Sequence, residues 1–374
     1  MQIEARHYRT GRTLSLTIEH GVIRNVTDLP TTNAKAPWIA PAFCDIQING
    51  CEGISFNSPK LTAENVGQVV GVCRRHGISQ LCPTLVTGSF EALAHGLRTL
   101  RKVCEADAEI ARAIPGIHVE GPYISSEDGP RGAHPRAHVR PPDWDEFQRL
   151  QDAAGGRIRM MTLAPEVAGA LPFIEKLAAG GLIVAIGHTA ASPECIQAAI
   201  HAGARISTHL GNGAHAVLPR HPNYIWEQLA SDALWASFIA DGHHLPASVL
   251  RCLLRVKTVA RLILTCDASP FAGLPPGRYR DWDQDFEILP EGKIVLPGTA
   301  FLAGSWAFTD HCLATVLGLG EVSFADAIDM ATARPRELLG LPRREIAAGQ
   351  PAELILFDWQ PGAPFRLHQA LIES

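Results

Sequence analysis

Eight short runs of buried-type apolar residues, spaced by segments of helical periodicity, constrain this chain more than any other feature of its sequence. They cover residues 39–48, 78–86, 114–119, 158–164, 182–186, 205–209, 235–240 and 261–266. Runs that are apolar on both faces suit parallel strands covered by helices, and eight strand–helix units predict a (β/α)8 barrel. With 374 residues the chain is long enough for one such barrel and its core. The helices between the runs have readable ends. Thr62 and Glu64 open one that stops at Arg74, Arg75, His76 and Gly77, and Ser192, Pro193 and Glu194 open another.

The two ends of the chain read differently. Residues 13–29 alternate apolar and polar on either side of Gly21, which predicts an antiparallel hairpin. Residues 352–357 form a short apolar run after a turn containing Gly349 and Pro351, and the two ends are expected to share one small β layer. Residues 270–298 read as an insertion after the eighth strand, with a hairpin-like stretch over 286–296.

In a barrel of this kind the chemistry lies at the C-terminal ends of the strands. Run three closes on Glu120, run five on His188, run six on His209 and run eight on Asp267. Two imidazoles and one carboxylate, here Glu120, His188 and His209, make a catalytic zinc set with a fourth position left for water. A divalent ion lowers the pKa of water it binds to about 7. Asp267 beside it can take a proton from that water and later give it to a departing amine. Each residue alone has an ordinary structural explanation, a hydrogen-bonded strand-end histidine or a loop ion pair. The coincidence of four such types at four strand ends favours a site. His118, two residues before Glu120, is read as a packing residue.

Composition narrows the function classes. The 16 histidines outnumber the four methionines and nine cysteines combined, which fits a chain that does acid–base or metal chemistry. The cysteines are dispersed and none forms a C-x-x-C, so neither a disulfide framework nor a thiolate zinc knuckle is expected, and a reducing cytoplasm fits best. A net charge of −5 without a basic block argues against a nucleic-acid partner. The first residues, MQIEARHYRTGR, mix charges at once, and no stretch approaches about 20 apolar residues. Neither a secretory leader nor a membrane span is expected.

The segments PAFCDIQINGCEGISFN, HVEGP, LAPE, GHT, THLGNGAH, ADGHHL, TCDAS, GTAFLAGS and AAGQPAELILFD occur in that order over nearly the whole chain. In them the sequence resembles the N-acetylglucosamine-6-phosphate deacetylases, a family of the amidohydrolase superfamily. The resemblance implies a barrel over residues 39–346 with a small β-sandwich built from residues 1–38 and 347–374. It implies one divalent ion held by Glu120, His188 and His209, with Asp267 as the acid–base residue. Zn²⁺ suits that donor set, and imidazole also accepts Fe²⁺. It further implies that His134 polarises the acetyl carbonyl, and that Ala133, Asn212, Gly213, His244, Leu302, Ala303 and Gly304 contact the sugar phosphate. Arg220 would reach the phosphate from a neighbouring subunit, which implies a homodimer. The implied activity is removal of acetate from N-acetylglucosamine 6-phosphate.

Two departures from the family pattern stand out. Gln47 and Asn49 occupy the place where many superfamily members carry His-x-His for a second metal, which favours a one-metal site. Gly211, Gly213 and His215 stand where the family commonly shows Tyr, Ala and Met. The second departure leaves open an amidohydrolase acting on another N-acyl amino sugar, an N-acyl amino acid or a cyclic amide. An inactive barrel serving as a scaffold is the remaining reading, against which the complete Glu120, His188, His209 and Asp267 set argues.

Overall fold

A computed structural model describes residues 1–31, 33–281 and 284–372. Three short strands open the chain, β1 (Gln2–His7), β2 (Thr13–Glu19) and β3 (Val22–Asp28), followed by β4 (Trp38–Pro41). The first barrel strand, β5 (Phe43–Ile48), follows at once, so residues 39–48, read as one run, divide between two sheets. After a two-residue hairpin, β6 (Gly50–Cys51) and β7 (Ile54–Ser55), the barrel continues. Its other strands are β8 (Ile78–Val86), β9 (Ile117–Glu120), β10 (Ile158–Leu163), β11 (Ile183–Ile186), β12 (Ala204–Ser207), β13 (Trp235–Ile239) and β14 (Leu262–Thr265). All eight expected runs supply a strand to this sheet, which is parallel throughout in the order β14-β13-β12-β11-β10-β9-β8-β5. A parallel bridge between Ile48 and Ala268 joins its two edges.

Period-two alternation sorts the inward side chains into layers. Cys44, Ile46, Cys82, Met160, Ala185, Ile206 and Ile263 belong to one apolar cluster, which Leu338 and Leu339 join. Their sequence neighbours, such as Leu81, Met161, Val184 and Leu264, belong to a separate cluster with the helices. Two residues further along the strands the same inward positions carry Thr84, His118, Thr162 and Thr208. His118 Nε2 lies 2.7 Å from Thr162 Oγ1, which lies 2.7 Å from Thr208 Oγ1. His118 thus packs inside the barrel, and burial lowers its pKa to about 4. Two residues further again come Val86, Glu120, Ile239 and Asp267, all of which line a cavity.

The helix Ala63–Arg75 starts at Thr62, whose side chain accepts the Asn65 N–H while Asn65 caps in return, a contact worth about 1 kcal/mol. Ser192 caps the helix Pro193–His201, its side chain accepting the Cys195 N–H. The chain ends return in β18 (Leu354–Asp358) and β19 (Arg366–Leu371), which enter one six-stranded sheet in the order β19-β18-β4-β1-β2-β3. The pair β1–β4 is parallel and the rest antiparallel. The insertion after the eighth strand, of which residues 282 and 283 lie outside the described ones, folds as β15 (Gly277–Asp281), β16 (Gln284–Ile288) and β17 (Ile294–Val295). β15 was not legible beforehand, because its GRYRD sequence is strongly polar and becomes a strand only by pairing with β16. No described helix is long and apolar enough to cross a membrane.

Candidate active site

Glu120 ends β9 and points into the barrel mouth. Gly121 follows at φ 79, where a Cβ would lie 2.2 Å from Thr87 Oγ1, so the sharp exit from the strand requires glycine. His188, His209 and Asp267 lie just past β11, β12 and β14 at φ 51, 30 and 50. Left-handed backbone costs a residue with a Cβ roughly 1–2 kcal/mol, so three of the four expected residues are held in turns that the surroundings must enforce.

One carboxylate oxygen organises the cluster. Glu120 Oε1 is 3.0 Å from His188 Nε2 and 2.9 Å from His209 Nε2, and all three side chains are buried. His188 Nδ1 is 2.8 Å from the Pro130 carbonyl, which only an N–H can satisfy. In the neutral ring Nε2 therefore presents a lone pair to the carboxylate. Two acceptors at that distance call for a shared positive charge, a proton or a cation. Nδ1 of His209 is buried without a hydrogen-bond partner among the described residues. Donor atoms of Glu120, His134 and His188 also lie within 4.8 Å of one another. The donor set thus fits a divalent cation, with His209 and His134 flanking the Glu120–His188 pair.

Charges follow from this packing. Burial alone would raise Glu120, but the two imidazoles outweigh it and hold the carboxyl well below its usual range. Burial lowers His209, and the Glu120 carboxylate more than compensates and raises it. His134 is pushed well below an ordinary histidine by burial and by His188 beside it. Its Nδ1 lies 2.8 Å from Thr87 Oγ1. Asp267 accepts the Asn49 side-chain N–H at 2.6 Å on Oδ1, and burial together with the Glu120 charge raises its pKa to about 7.

A cavity of about 290 Å³ opens over this cluster. Its walls include Glu120, His134, His188, His209 and Asp267, and also Ala133, Asn212, Gly213, His244, Leu302, Ala303 and Gly304. Arg220 is exposed and does not line it. Asn49 lines the cavity while Gln47 does not, and both amide atoms of Gln47 are buried without a partner among the described residues. His244 is oriented by Asp241, whose Oδ2 is 2.7 Å from Nδ1. His215, also in the wall, spans Tyr224 OH at 3.0 Å and Glu127 Oε2 at 3.0 Å. The insertion supports one side: the Gln284 side chain donates to the Ala133 carbonyl at 3.0 Å, and the Ala303 N–H donates to the Ile294 carbonyl.

Sequence reasoning missed Thr87, Asp241 and the Glu127–His215–Tyr224 contacts. The strand-end rule would have found the first two, since Thr87 follows run two and Asp241 follows run seven. The His215 contacts join the 215–224 stretch to Glu127, 88 positions away, and that pairing leaves no local signal.

No protein-family model matches the chain. It is 35% identical over 338 residues to the N-acetylglucosamine-6-phosphate deacetylase of Bos taurus, covering 86% of this chain and 79% of that one. It is 31% identical over 330 residues to the N-acetylgalactosamine-6-phosphate deacetylase of Escherichia coli O157:H7, covering 87% and 85%. Among solved structures, the Mycobacterium smegmatis N-acetyl-D-glucosamine-6-phosphate deacetylase in complex with N-acetyl-D-glucosamine-6-phosphate matches with a TM-score of 0.85 at 30% identity, covering 96% of this chain and 95% of that one.

Proposed function

This chain belongs to the N-acetylglucosamine-6-phosphate deacetylase family of the amidohydrolase superfamily, and from that premise we propose that it hydrolyses the acetamide of N-acetylglucosamine 6-phosphate, giving acetate and glucosamine 6-phosphate. The observation that carries the reading is one Glu120 oxygen facing two imidazoles, with Asp267 in the same cavity. Glu120, His188 and His209 would hold one divalent ion, Zn²⁺ by the donor set. When bound, such an ion acidifies water and polarises the scissile carbonyl.

The remaining steps belong to the chain's own groups. Thr87 Oγ1 lies 2.8 Å from His134 Nδ1, and a Thr87 O–H donating to that nitrogen would fix the neutral tautomer with its proton on Nε2. That N–H is available to the acetyl oxygen as negative charge develops there. Asn49 holds Oδ1 of Asp267, leaving Oδ2 to take a proton from the attacking water. The same carboxyl then protonates the sugar nitrogen as the C–N bond breaks, and its pKa near 7 suits both transfers. His244, braced by Asp241, offers Nε2 to the sugar phosphate, and Asn212 and Gly213 offer backbone groups.

Arg220 is exposed and does not line its own cavity, and the same stretch of chain carries Val217 and Trp226, which are 87% and 54% exposed. This supports a homodimer in which Arg220 serves the neighbour's substrate phosphate. The terminal segments expected at 1–38 and 347–374 are taken as one unit and 39–346 as the barrel, with residues 39–41 moved to the terminal unit because β4 pairs in its sheet, in a protein of the cytoplasm.

The test is a panel of metal-loaded reactions with N-acetylglucosamine and N-acetylgalactosamine, each with and without the 6-phosphate. N-acetylglucosamine 6-phosphate should give the highest kcat/KM. Equal rates with and without phosphate would remove the phosphate assignment, and preference for the galacto epimer would move the substrate to that of the Escherichia coli relative.

A further inference from the structure

Run four of the barrel closes on LAPE and therefore on Glu166, a residue with no part in the chemistry above. Both of its carboxylate oxygens are given to the two residues that follow His188. The Thr189 hydroxyl donates to Oε2 at 2.6 Å and the Ala190 N–H donates to Oε1 at 2.6 Å. Thr189 Oγ1 in turn accepts the Ala191 N–H at 3.0 Å. On the other side, the His188 carbonyl accepts the Ser125 N–H at 3.0 Å and its Nδ1 donates to Pro130. His188 stands between these grips at φ 51, a conformation that a residue with a Cβ leaves when its neighbours are released. Burial raises the Glu166 carboxyl, against the two bonds that lower it, so the carboxylate is kept where charge is disfavoured.

We propose that Glu166 is a positioning residue for His188, gripping the Thr189–Ala190 turn so that His188 Nε2 stays directed at Glu120 Oε1. The proposal rests on the reading of Glu120, His188 and His209 as a metal seat. It gives β10 a place in that seat, through backbone rather than through a ligand atom.

The experiment uses metal-free full-length chain, wild type and the variants Glu166→Ala, Glu166→Gln and Thr189→Val. Zn²⁺ affinity is read by competition with a chromophoric chelator, and amide exchange at Ser125 and Ala190 is read before metal is added. Outer-shell support of a ligand typically contributes about 10–100-fold to metal affinity, and Glu166→Ala should lose an amount in that range. It should also speed exchange at Ser125, whose partner is the His188 carbonyl. Glu166→Gln should recover most of both effects, because its amide oxygen can accept from Ala190 while its NH₂ donates to Thr189 Oγ1. Thr189→Val should fall between. Unchanged Zn²⁺ affinity in Glu166→Ala would overturn the proposal, as would unchanged Ser125 protection. If wild type itself bound no Zn²⁺, the metal reading would fall, and Ser125 exchange would still decide whether Glu166 positions His188.

Discussion

The eight barrel strands end in two unlike ways. At one end their inward side chains are apolar, among them Ile46, Met160, Ile206 and Ile263, with Leu338 and Leu339 in the same cluster. At the other the inward side chains are Glu120 and Asp267, with His188 and His209 in the turns beyond, around an open cavity of about 290 Å³. The floor depends on volume and is indifferent to chemical detail within apolar residues. The rim depends on a few named atoms and leaves volume free for a ligand. Strain divides the same way. Six non-glycine residues among those described have positive φ, and three of them are rim residues of the site. The floor stabilises a backbone that the rim then distorts.

The most decisive way to break this contrast is to make the rim chemically inert without changing its shape. Asp267→Asn should lower kcat by at least about 10²-fold in steady-state assays while leaving the melting curve close to wild type. Full turnover with metal bound would remove Asp267 from proton transfer. The floor should answer in the opposite currency of measurement: Met160→Ala should cost about 2–5 kcal/mol in denaturant unfolding with kcat per folded molecule nearly unchanged. A large fall in kcat there would mean that rim and floor are not separable. Smaller is Thr87→Val, which removes the hydroxyl 2.8 Å from His134 Nδ1 that is proposed to fix its tautomer. One hydrogen bond of about 1–1.5 kcal/mol predicts roughly a tenfold loss in kcat, read under saturating substrate.

The smallest expected effect sharpens the contrast through pH. Burial would raise Asp241, but His244 and the backbone N–H groups of His243 and His244 hold it well below its ordinary 3.8. A carboxyl depressed on folding contributes stability that is complete above its unfolded pKa and is lost as pH falls toward the folded value. Asp241→Asn should therefore lose stability at neutral pH and show a shallower decline below about pH 4. Parallel acid melts of variant and wild type would contradict this.

Much of the barrel was legible because both faces of each strand are buried, and a strand without a solvent face reads as a continuous apolar run. The rim was legible where a strand's last residue, as with Glu120, or the turn just past it, as with His188, His209 and Asp267, supplies the group. Legibility failed where position depends on another segment. Nothing near Ala133 in the sequence indicates that Gln284 hydrogen-bonds its carbonyl, and nothing near Asp267 indicates that Asn49 holds its Oδ1. Arg220 illustrates the same limit. The resemblance implied that it reaches a phosphate from a neighbouring subunit, and within one chain Arg220 is exposed in the loop between β12 and the helix Tyr224–Ala230, off its own cavity.

The seam of the barrel has a consequence for how the active protein comes into being. The first and last strands meet through the Ile48–Ala268 bridge, the Asn49 N–H on the Ala268 carbonyl at 2.9 Å, and the Asn49 side chain on Asp267. Asn49 and Asp267 are 218 positions apart, so this contact closes one of the longest loops in the chain. Asp267, the proposed proton carrier, is thus oriented by the same contacts that shut the ring. A nascent or partly unfolded chain with an open seam lacks an oriented Asp267, so turnover doubles as a quality check, reporting only those molecules whose ring is complete.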